Sequence, residues 1–193
     1  MRPAAAPPPL PALQGLHCRL RPLEAGDAPA LARHANDEAV RRNLFEGFPS
    51  PYTLAHAQAW CAAQSGEAAW GRVWGIEFDG EIVGCIGLRP DAGWLRCNAE
   101  VGYWVGQAVW RRGIASDALR LVTDWAFAAL PELCRIYAPI FAWNEGSQAV
   151  ARRCGYTLEA RLRRSAIKDG RVIDRVQYVR LRPDGAAAAG ASC

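Results

Sequence analysis

Hydrophobic positions along the chain recur with two periods, one typical of strands and the other typical of helices. Alternating or continuous apolar runs predict strands at residues 17–21, 70–78, 81–88, 95–105, 135–142, 158–168 and 171–181. A period of 3.6 predicts helices at residues 27–36, from residue 53 onward, at 112–129 and at 147–154. This order predicts an α+β domain around one mixed, mostly antiparallel sheet, with helices packed on it.

Two dipeptides mark hairpins within this pattern. Asp79-Gly80 and Asp169-Gly170 each separate two strand-like runs. Asp-Gly is typical of two-residue hairpin turns, because both central positions need positive φ. Strands 70–78 and 81–88, and strands 158–168 and 171–181, are therefore predicted to be antiparallel neighbours.

The helix predicted at residues 112–129 has one apolar stripe. Asp117, Arg120 and Asp124 fall outside that stripe and are predicted to face solvent. The residues predicted to be buried are Ile114, Ala118, Leu121, Val122, Trp125 and Ala129.

Length and composition indicate one domain with terminal extensions. The 193 residues are enough for one hydrophobic core. Residues 1–15 are rich in Pro and Ala and are predicted to be a flexible leader, residues 16–183 the folded domain, and residues 184–193 a disordered tail. The leader lacks the unbroken apolar stretch of a signal peptide, and no run reaches the roughly 20 apolar residues of a membrane span. We therefore expect a cytoplasmic location and no contact with a membrane.

Charge and cysteine spacing exclude several functional classes. The net charge is +4, and residues 151–182 hold ten basic against three acidic residues, a net charge of +7. A solvated basic face explains this cluster as well as a binding patch does, and the interleaved aromatic and basic residues that favour nucleic-acid binding are absent. Seven Cys without a CxxC pair and three His without ligand spacing argue against a disulfide framework and a metal site. There is also no phosphate loop of the GxxxxGKS/T type.

A short basic turn, Arg111-Arg112-Gly113-Ile114-Ala115, joins a predicted strand to the longest predicted helix. At such a junction free backbone N–H groups and the helix dipole favour a phosphate or pyrophosphate. Gly113 lacks a Cβ, so a ligand can approach the backbone closely. The alternative is a basic helix N-terminus that holds no ligand.

A second segment, residues 144–156, has an Asn, a Ser three residues later, a short helix and then Gly-aromatic before the last hairpin. Together with the basic turn and the order of elements, it resembles the GNAT acetyltransferases over about residues 17–182. Trp110 replaces the family's usual Gln or Arg, and Ala115 replaces its second Gly. Both variants are similar to those of the branch that contains the ribosomal-protein N-acetyltransferases. The resemblance implies the GNAT fold, with a splay between two central parallel strands.

The resemblance also implies a set of residues that bind acetyl-CoA. The basic turn holds the pyrophosphate, and the edge from Tyr103 to Val105 pairs with pantetheine like an added strand. Asn144 faces the pantetheine arm, and Ser147 can hydrogen-bond the departing thiolate. The expected binding residues are Tyr103, Trp104, Val105, Arg111, Arg112, Gly113, Ile114, Ala115, Asn144 and Ser147.

Two catalytic roles follow from the same resemblance. Many family members carry a Tyr acid seven residues after the Asn, where this chain has Ala151, so Ser147 is the candidate for thiolate stabilisation. Glu100 is the candidate general base, with an ion-paired strand glutamate as the alternative. Some ribosomal-protein enzymes place the base in the last hairpin, where this chain has Ala166, and Asp174 is then the fallback.

The activity expected from the resemblance is transfer of an acetyl group from acetyl-CoA to a primary amine, with no metal. An α-amine has a pKa near 8 and lysine one near 10.4, so a single carboxylate base fits a protein N-terminus or a weakly basic small amine better than lysine. A non-catalytic acyl-CoA-binding module is the rival interpretation. The acceptor and the oligomeric state, including a homodimer, stay open.

Tryptophan is abundant in this chain. Three of the side chains fit predicted core faces, namely Trp104, Trp125 and Trp143. Four others can line an acceptor groove, although core packing is the preferred interpretation for each: Trp60, Trp70, Trp74 and Trp94.

Overall fold

The computed structural model describes residues 10–64 and 71–183, and this part of the chain folds around one sheet. The strands are β1 (Leu13–Gln14), β2 (Arg19–Arg21), β3 (Arg72–Phe78), β4 (Glu81–Pro90), β5 (Asn98–Val105), β6 (Arg135–Phe141), β7 (Thr157–Lys168) and β8 (Arg171–Leu181). The α-helices are α1 (Ala28–Ala35), α2 (Glu38–Arg41), α3 (Leu54–Gln64), α4 (Ile114–Ala129) and α5 (Glu145–Arg153).

The strands are arranged in the order β1-β2-β3-β4-β5-β6-β8-β7. Neighbours are antiparallel except β5 and β6, which are parallel. Their pairing runs only from Asn98 opposite Arg135 to Glu100 opposite Tyr137, and beyond that point the two strands separate. The mixed, mostly antiparallel sheet with a splay in its parallel pair confirms the predicted fold class.

Helices cover both faces of the sheet, each over its own apolar cluster. On one face, α4 packs Leu119 and Val122 against Ile86 and Val101 of the central strands. On the other face, α1 and α3 form a second cluster around Leu31, Ala57, Val73, Ile82 and Cys85. A sheet buried on both faces needs continuous apolar runs, and β4 has such a run.

Residues 10–15, which the sequence pattern assigns to a flexible leader, are part of the fold. Leu13–Gln14 pairs with β2, and the Trp74 indole N–H donates to the carbonyl of Pro11 at 2.8 Å. Leu10 and Leu13 pack against the larger core cluster, which fixes this part of the chain. Residues 1–9, the tail 184–193 and residues 65–70, with Trp70, lie outside the described residues.

Asp117 is buried, although the sequence pattern predicts that it faces solvent. Only 3% of Asp117 is exposed, and its Oδ2 accepts hydrogen bonds from the backbone N–H groups of His17 at 2.7 Å and Cys18 at 3.2 Å. The segment before β2 crosses the start of α4, so its backbone donors need an acceptor there. Asp117 therefore anchors the N-terminal segment to α4.

Some of the tryptophans predicted to be buried in the core are exposed in the structure. Trp74 is fully buried and makes a T-shaped, edge-to-face contact with Trp125, as predicted for core residues. Trp143 is 40% exposed and Trp94 is 86% exposed, so core packing is the wrong assignment for both. Trp143 lies in the turn after β6, where its indole N–H donates to Asn43 at 3.2 Å.

Candidate active site

The splay leaves backbone groups of β5 facing a gap. Gly106 donates its N–H to the carbonyl of Val83, at the β4 side. Because bonding direction alternates along a strand, Val101, Tyr103 and Val105 point their backbone N–H and C=O groups toward β6. The last β5–β6 pair, Glu100 opposite Tyr137, still uses the N–H of Val101, whereas the C=O of Val101 and the groups of Tyr103 and Val105 need another partner.

The resemblance implies that residues 103–105 of β5 pair with pantetheine, but not every backbone group of these residues is available. Trp104 pairs with Cys85 on β4, so its backbone does not face the gap. The carbonyl of Val105 is already occupied, because it accepts from the indole N–H of Trp110 at 2.8 Å. Tyr103 therefore supplies a free donor and a free acceptor, Val101 supplies a free acceptor, and Val105 supplies a free donor.

The basic turn has the backbone geometry of an anion-binding site. Arg111 and Gly113 both have positive φ, at 64° and 81°, and α4 begins directly after Gly113. Among the described residues, no backbone N–H from Arg111 to Ala115 donates a hydrogen bond outside its own helix. The turn thus presents a row of free donors at the N-terminus of a 16-residue helix.

Gly113 is required mainly by its backbone conformation. Its φ of +81° is a backbone angle that residues with a side chain rarely adopt. A Cβ added at Gly113 would lie 3.1 Å from Cδ2 of His17. The added atom would thus press on His17. The sequence explains this glycine only by close approach of a ligand and gives no signal of the contact with His17.

The start of α5 is built by a reciprocal pair of polar side chains. The Asn144 carbonyl oxygen accepts from the backbone N–H of Ser147 at 3.1 Å, which caps the helix. The Asn144 amide donates to Ser147 Oγ at 3.1 Å, and the Tyr103 hydroxyl donates to the Ser147 carbonyl at 3.1 Å. These bonds fix Ser147 beside the splayed end of β5.

The turn, the splay and α5 enclose a cleft of about 590 Å³, here called the amide cleft. Its lining includes Tyr103, Trp104, Val105, Arg111, Gly113, Ile114, Ala115, Asn144 and Ser147. Nine of the ten binding residues expected from the sequence thus come together. Arg112 is the exception, since it is exposed and its guanidinium lies over the ring of Phe78.

A second cavity, of about 570 Å³, adjoins the amide cleft and is here called the aromatic cavity. The two spaces share six lining residues, namely Asn43, Leu44, Tyr103, Trp104, Asn144 and Ser147. Ser147 therefore lies at their junction.

Rings from the loop before α3 form the wall of the aromatic cavity. Phe48 stacks on Tyr52 with ring centroids 4.9 Å apart and meets Trp104 edge-on at 6.4 Å. Phe45 and Trp60 also line the space. The sequence pattern predicts neither a strand nor a helix at residues 43–52, but three aromatic residues in these ten positions are a usable signal for a binding wall.

Glu100 lines the aromatic cavity at the point where the strands begin to separate. Its side chain is 18% exposed, and its Oε2 accepts from the Arg89 guanidinium at 2.5 Å. The contact raises the pKa of Arg89. Glu100 is therefore both an ion-paired strand residue and a carboxylate that faces the cavity.

Asp174 does not line either space. Its carboxylate accepts from the backbone N–H of Arg164 at 2.9 Å and from Arg161 at 3.1 Å. Both contacts hold the pKa of Asp174 below its usual value. These bonds give Asp174 a structural role on the last hairpin and weaken its case as the base.

Cys85 is a cysteine in the wall of the aromatic cavity, and its thiol is buried. Burial raises its pKa to about 12, so it is protonated at neutral pH. A thiol is a poor nucleophile compared with its thiolate. Cys85 is therefore a poor site for a covalent acyl-enzyme intermediate.

The described residues hold no cluster of three or more His, Cys, Asp or Glu side chains that could bind a metal. In the same ranges, no helix is long and apolar enough to cross a membrane.

The fold and the amide cleft define a class of acyl-group-transferring α+β proteins with a splayed sheet and an anion-binding turn. A family model described as "Acetyltransferase (GNAT) domain" matches residues 17–157, which is more than half of the chain. The chain belongs to the GNAT acetyltransferase family.

Individual proteins give the same assignment. The Bacillus subtilis (strain 168) protein named "Uncharacterized N-acetyltransferase YoaA" is 32% identical over 168 residues, which cover 85% of this chain and 93% of the relative. The structure of Mycobacterium smegmatis RimJ in complex with CoA-disulfide is 28% identical, with a TM-score of 0.78, and the match covers 89% of this chain and 88% of RimJ. A structure of RimL, a ribosomal L7/L12 alpha-N-protein acetyltransferase in complex with coenzyme A, shares the fold at 20% identity and a TM-score of 0.74, covering 89% and 98% of the two chains.

Proposed function

We propose that this protein transfers the acetyl group of acetyl-CoA to a primary amine by direct attack. The observation that carries the proposal is the junction of two cavities at Ser147, beside unpaired backbone groups of β5. One cavity has the chemistry to hold the donor, and the other has room for the acceptor. The acceptor nitrogen forms a bond to the acetyl carbonyl carbon, and the bond from that carbon to sulfur breaks.

The amide cleft fits CoA on two independent grounds. Free N–H groups at the start of α4 suit a pyrophosphate, and the free backbone groups of Tyr103 suit the amides of pantetheine. The CoA complexes of RimJ and RimL support the same use of the fold. A free β5 N–H can also stabilise negative charge on the thioester oxygen.

Glu100 is the proposed base. It is the acidic residue among the described residues that line the aromatic cavity, and it lies on β5 where the splay begins. There it can take the proton of the attacking amine, directly or through water. Its ion pair with Arg89 holds the carboxylate in place.

Ser147 is the proposed partner of the leaving thiolate. Its backbone N–H and carbonyl are already engaged, and its Oγ accepts from Asn144. The hydroxyl hydrogen is therefore free to point toward the junction of the two cavities. A hydrogen bond to the developing thiolate lowers the energy of the transition state.

A protein α-amine is the first candidate acceptor, because RimL, which shares the fold, is a ribosomal L7/L12 alpha-N-protein acetyltransferase. A small-molecule amine is the second candidate, and the size of the aromatic cavity, about 570 Å³, suits it. A non-catalytic acyl-CoA-binding module is the third interpretation.

The test is release of free thiol from acetyl-CoA with a pool of peptides and amines, followed by mass spectrometry of the products. We expect thiol release that depends on an amine and a product 42 Da heavier, the mass of an added acetyl group. CoA binding without thiol release for any acceptor would support the non-catalytic module instead.

A further inference from the structure

The aromatic cavity carries a charge pattern that narrows the acceptor of the proposed function. Among the described residues that line it, Glu100 bears the carboxylate and Arg175 bears the guanidinium. Glu100 is paired with Arg89, whereas Arg175 has no carboxylate partner among the residues that the structure describes. The guanidinium of Arg175 is therefore a positive charge in the cavity wall that no carboxylate of the described residues neutralises.

Strand register places these two side chains on one face of the sheet. Glu100 pairs with Tyr137 of β6, and Arg175 of β8 pairs with Phe141, four residues further along β6. Side chains alternate along a strand, so Tyr137 and Phe141 lie on the same face, together with their partners. At about 3.3 Å per residue, the two pairs are separated by about 13 Å along the strand.

The guanidinium of Arg175 is held by a short chain of hydrogen bonds. Its Nε donates to Ser165 Oγ at 3.2 Å, and Ser165 Oγ donates to the carbonyl of Leu162 at 2.9 Å. This arrangement uses the Nε edge and leaves both terminal nitrogens available. Two parallel N–H donors match the two oxygens of a carboxylate or a phosphate.

Aromatic rings form another part of the same wall. Phe48 and Tyr52 are stacked, and Trp104 closes on Phe48 edge-on. Aromatic faces of this kind contact a flat apolar body more favourably than a flexible polar one. The cavity thus combines a carboxylate, a wall of aromatic rings and a free guanidinium.

Building on the proposed function, we propose that the acceptor is a primary amine whose flat apolar body separates the amine from an anionic group bound by Arg175. The anion is a carboxylate or a phosphate, since both match the guanidinium. Arg175 is then a specificity-determining residue, and Ser165 positions it. An anion directly beside the amine does not reach Arg175.

The test compares matched acceptors by kcat/KM. The set is 4-(aminomethyl)benzoate, its neutral amide, 4-(aminomethyl)phenyl phosphate and phenylalanine, in which the carboxylate lies next to the amine. For the wild type we expect the benzoate or the phosphate to exceed the amide by at least about tenfold. Whichever of the two anions is faster identifies the anionic group. Equal rates for acid and amide, or phenylalanine as the fastest acceptor, would overturn the inference.

The variants separate this role from a structural one. Arg175→Gln should bring the ratio of anionic to neutral acceptor close to one while the KM for acetyl-CoA stays unchanged, and Arg175→Lys should restore part of the ratio. Arg163→Gln, at an exposed arginine of β7 away from both cavities, is the matched control and should retain the wild-type ratio. An unchanged ratio in Arg175→Gln would refute the assignment.

A binding measurement distinguishes failure of this inference from failure of the proposed function. Calorimetry with 4-methylbenzoate, which has no amine, reports anion binding without turnover. We expect binding by the wild type and at least about tenfold weaker binding by Arg175→Gln. If no amine is acetylated but this difference is present, the proposed function fails and the anion site stands. If amines are acetylated and 4-methylbenzoate binds both proteins equally, the function stands and the anion site fails.

Discussion

The amide cleft and the aromatic cavity are neighbours, but they are built from different parts of the chain. Backbone groups supply the binding contacts of the amide cleft: free N–H groups of the turn at the start of α4 and unpaired groups of Tyr103. Side chains form the aromatic cavity, with rings from the loop before α3 and charged groups from β5 and β8. A backbone site depends on local conformation, whereas a side-chain site depends on which residues the fold brings together.

The difference teaches how one fold can keep its donor and vary its acceptor. Most substitutions in the amide cleft leave backbone donors in place, provided that the turn and the helix start survive. A substitution in the aromatic cavity changes shape or charge directly. We therefore expect variants of the aromatic cavity to alter the acceptor's kinetics and variants of the amide cleft to alter the affinity for CoA.

The largest expected effect is the loss of Glu100 from the aromatic cavity. Glu100→Gln keeps the size of the side chain but cannot accept a proton, so turnover should fall by about 10²–10⁴-fold while acetyl-CoA affinity is unchanged. The residual rate should still rise with pH, because the acceptor amine must lose its own proton. Steady-state kinetics across the neutral and mildly alkaline pH range measure both quantities.

Glu159→Gln is the matched control, since Glu159 is also a strand glutamate paired with an arginine, Arg135, but lines neither cavity. It should have the wild-type rate. A Glu100→Gln protein as fast as the wild type at every pH would make Glu100 structural.

A test of the amide cleft adds a carboxylate to the start of α4. Ala115 lines the cleft at the second position of the helix, where a glutamate is favourable for the helix dipole but repels a pyrophosphate. Ala115→Glu should therefore fold normally and bind CoA at least about tenfold more weakly, or about 1.4 kcal/mol. This change is cleaner than a substitution of Gly113, whose added Cβ would meet His17.

The same substitution at Ala128, an exposed position near the end of α4, should leave CoA affinity unchanged. Isothermal calorimetry with CoA and thermal unfolding of both variants provide the comparison. Equal CoA affinity in Ala115→Glu and the wild type would remove the turn from the binding site.

Ser147 tests the junction between the two cavities. Its Oγ does not cap α5, because the cap is the bond from its backbone N–H to Asn144. Ser147→Ala should therefore fold normally and lower kcat by about tenfold, with a smaller change in the KM for acetyl-CoA, since a hydrogen bond to a charged group contributes about 1.5–3 kcal/mol. Equal changes in kcat and KM would indicate a contact made in the ground state.

The smallest expected effect is on stability. Asn144→Ala removes the cap of α5 and should lower the free energy of unfolding by about 1 kcal/mol, as measured by urea denaturation. Asp37→Ala removes a similar cap from α2, where Asp37 accepts from the backbone of Ala39 at 2.7 Å. Both variants should lose stability, but only Asn144→Ala should raise the KM for acetyl-CoA. An unchanged KM would reduce Asn144 to a helix cap.

Much of the fold could be predicted because its signals are local. Asp79-Gly80 and Asp169-Gly170 mark two hairpins, and all four of these residues adopt positive φ in the structure. The amide cleft was equally accessible, since a strand, a glycine turn and a helix start are consecutive in the chain. Asn144 and Ser147 are three residues apart, so their capping bond is also a local feature.

Contacts between distant segments decided the rest. Asp117 is polar by sequence but buried, because the backbone of residues 17–18 needs an acceptor. Arg175 has no sequence signal at all: only the pairing of β8 with β6 brings it to the cavity that contains Glu100. Local propensity and turn chemistry act within a few residues and can be read from the sequence, whereas the register of strands that are far apart in the chain is set by packing of the whole sheet.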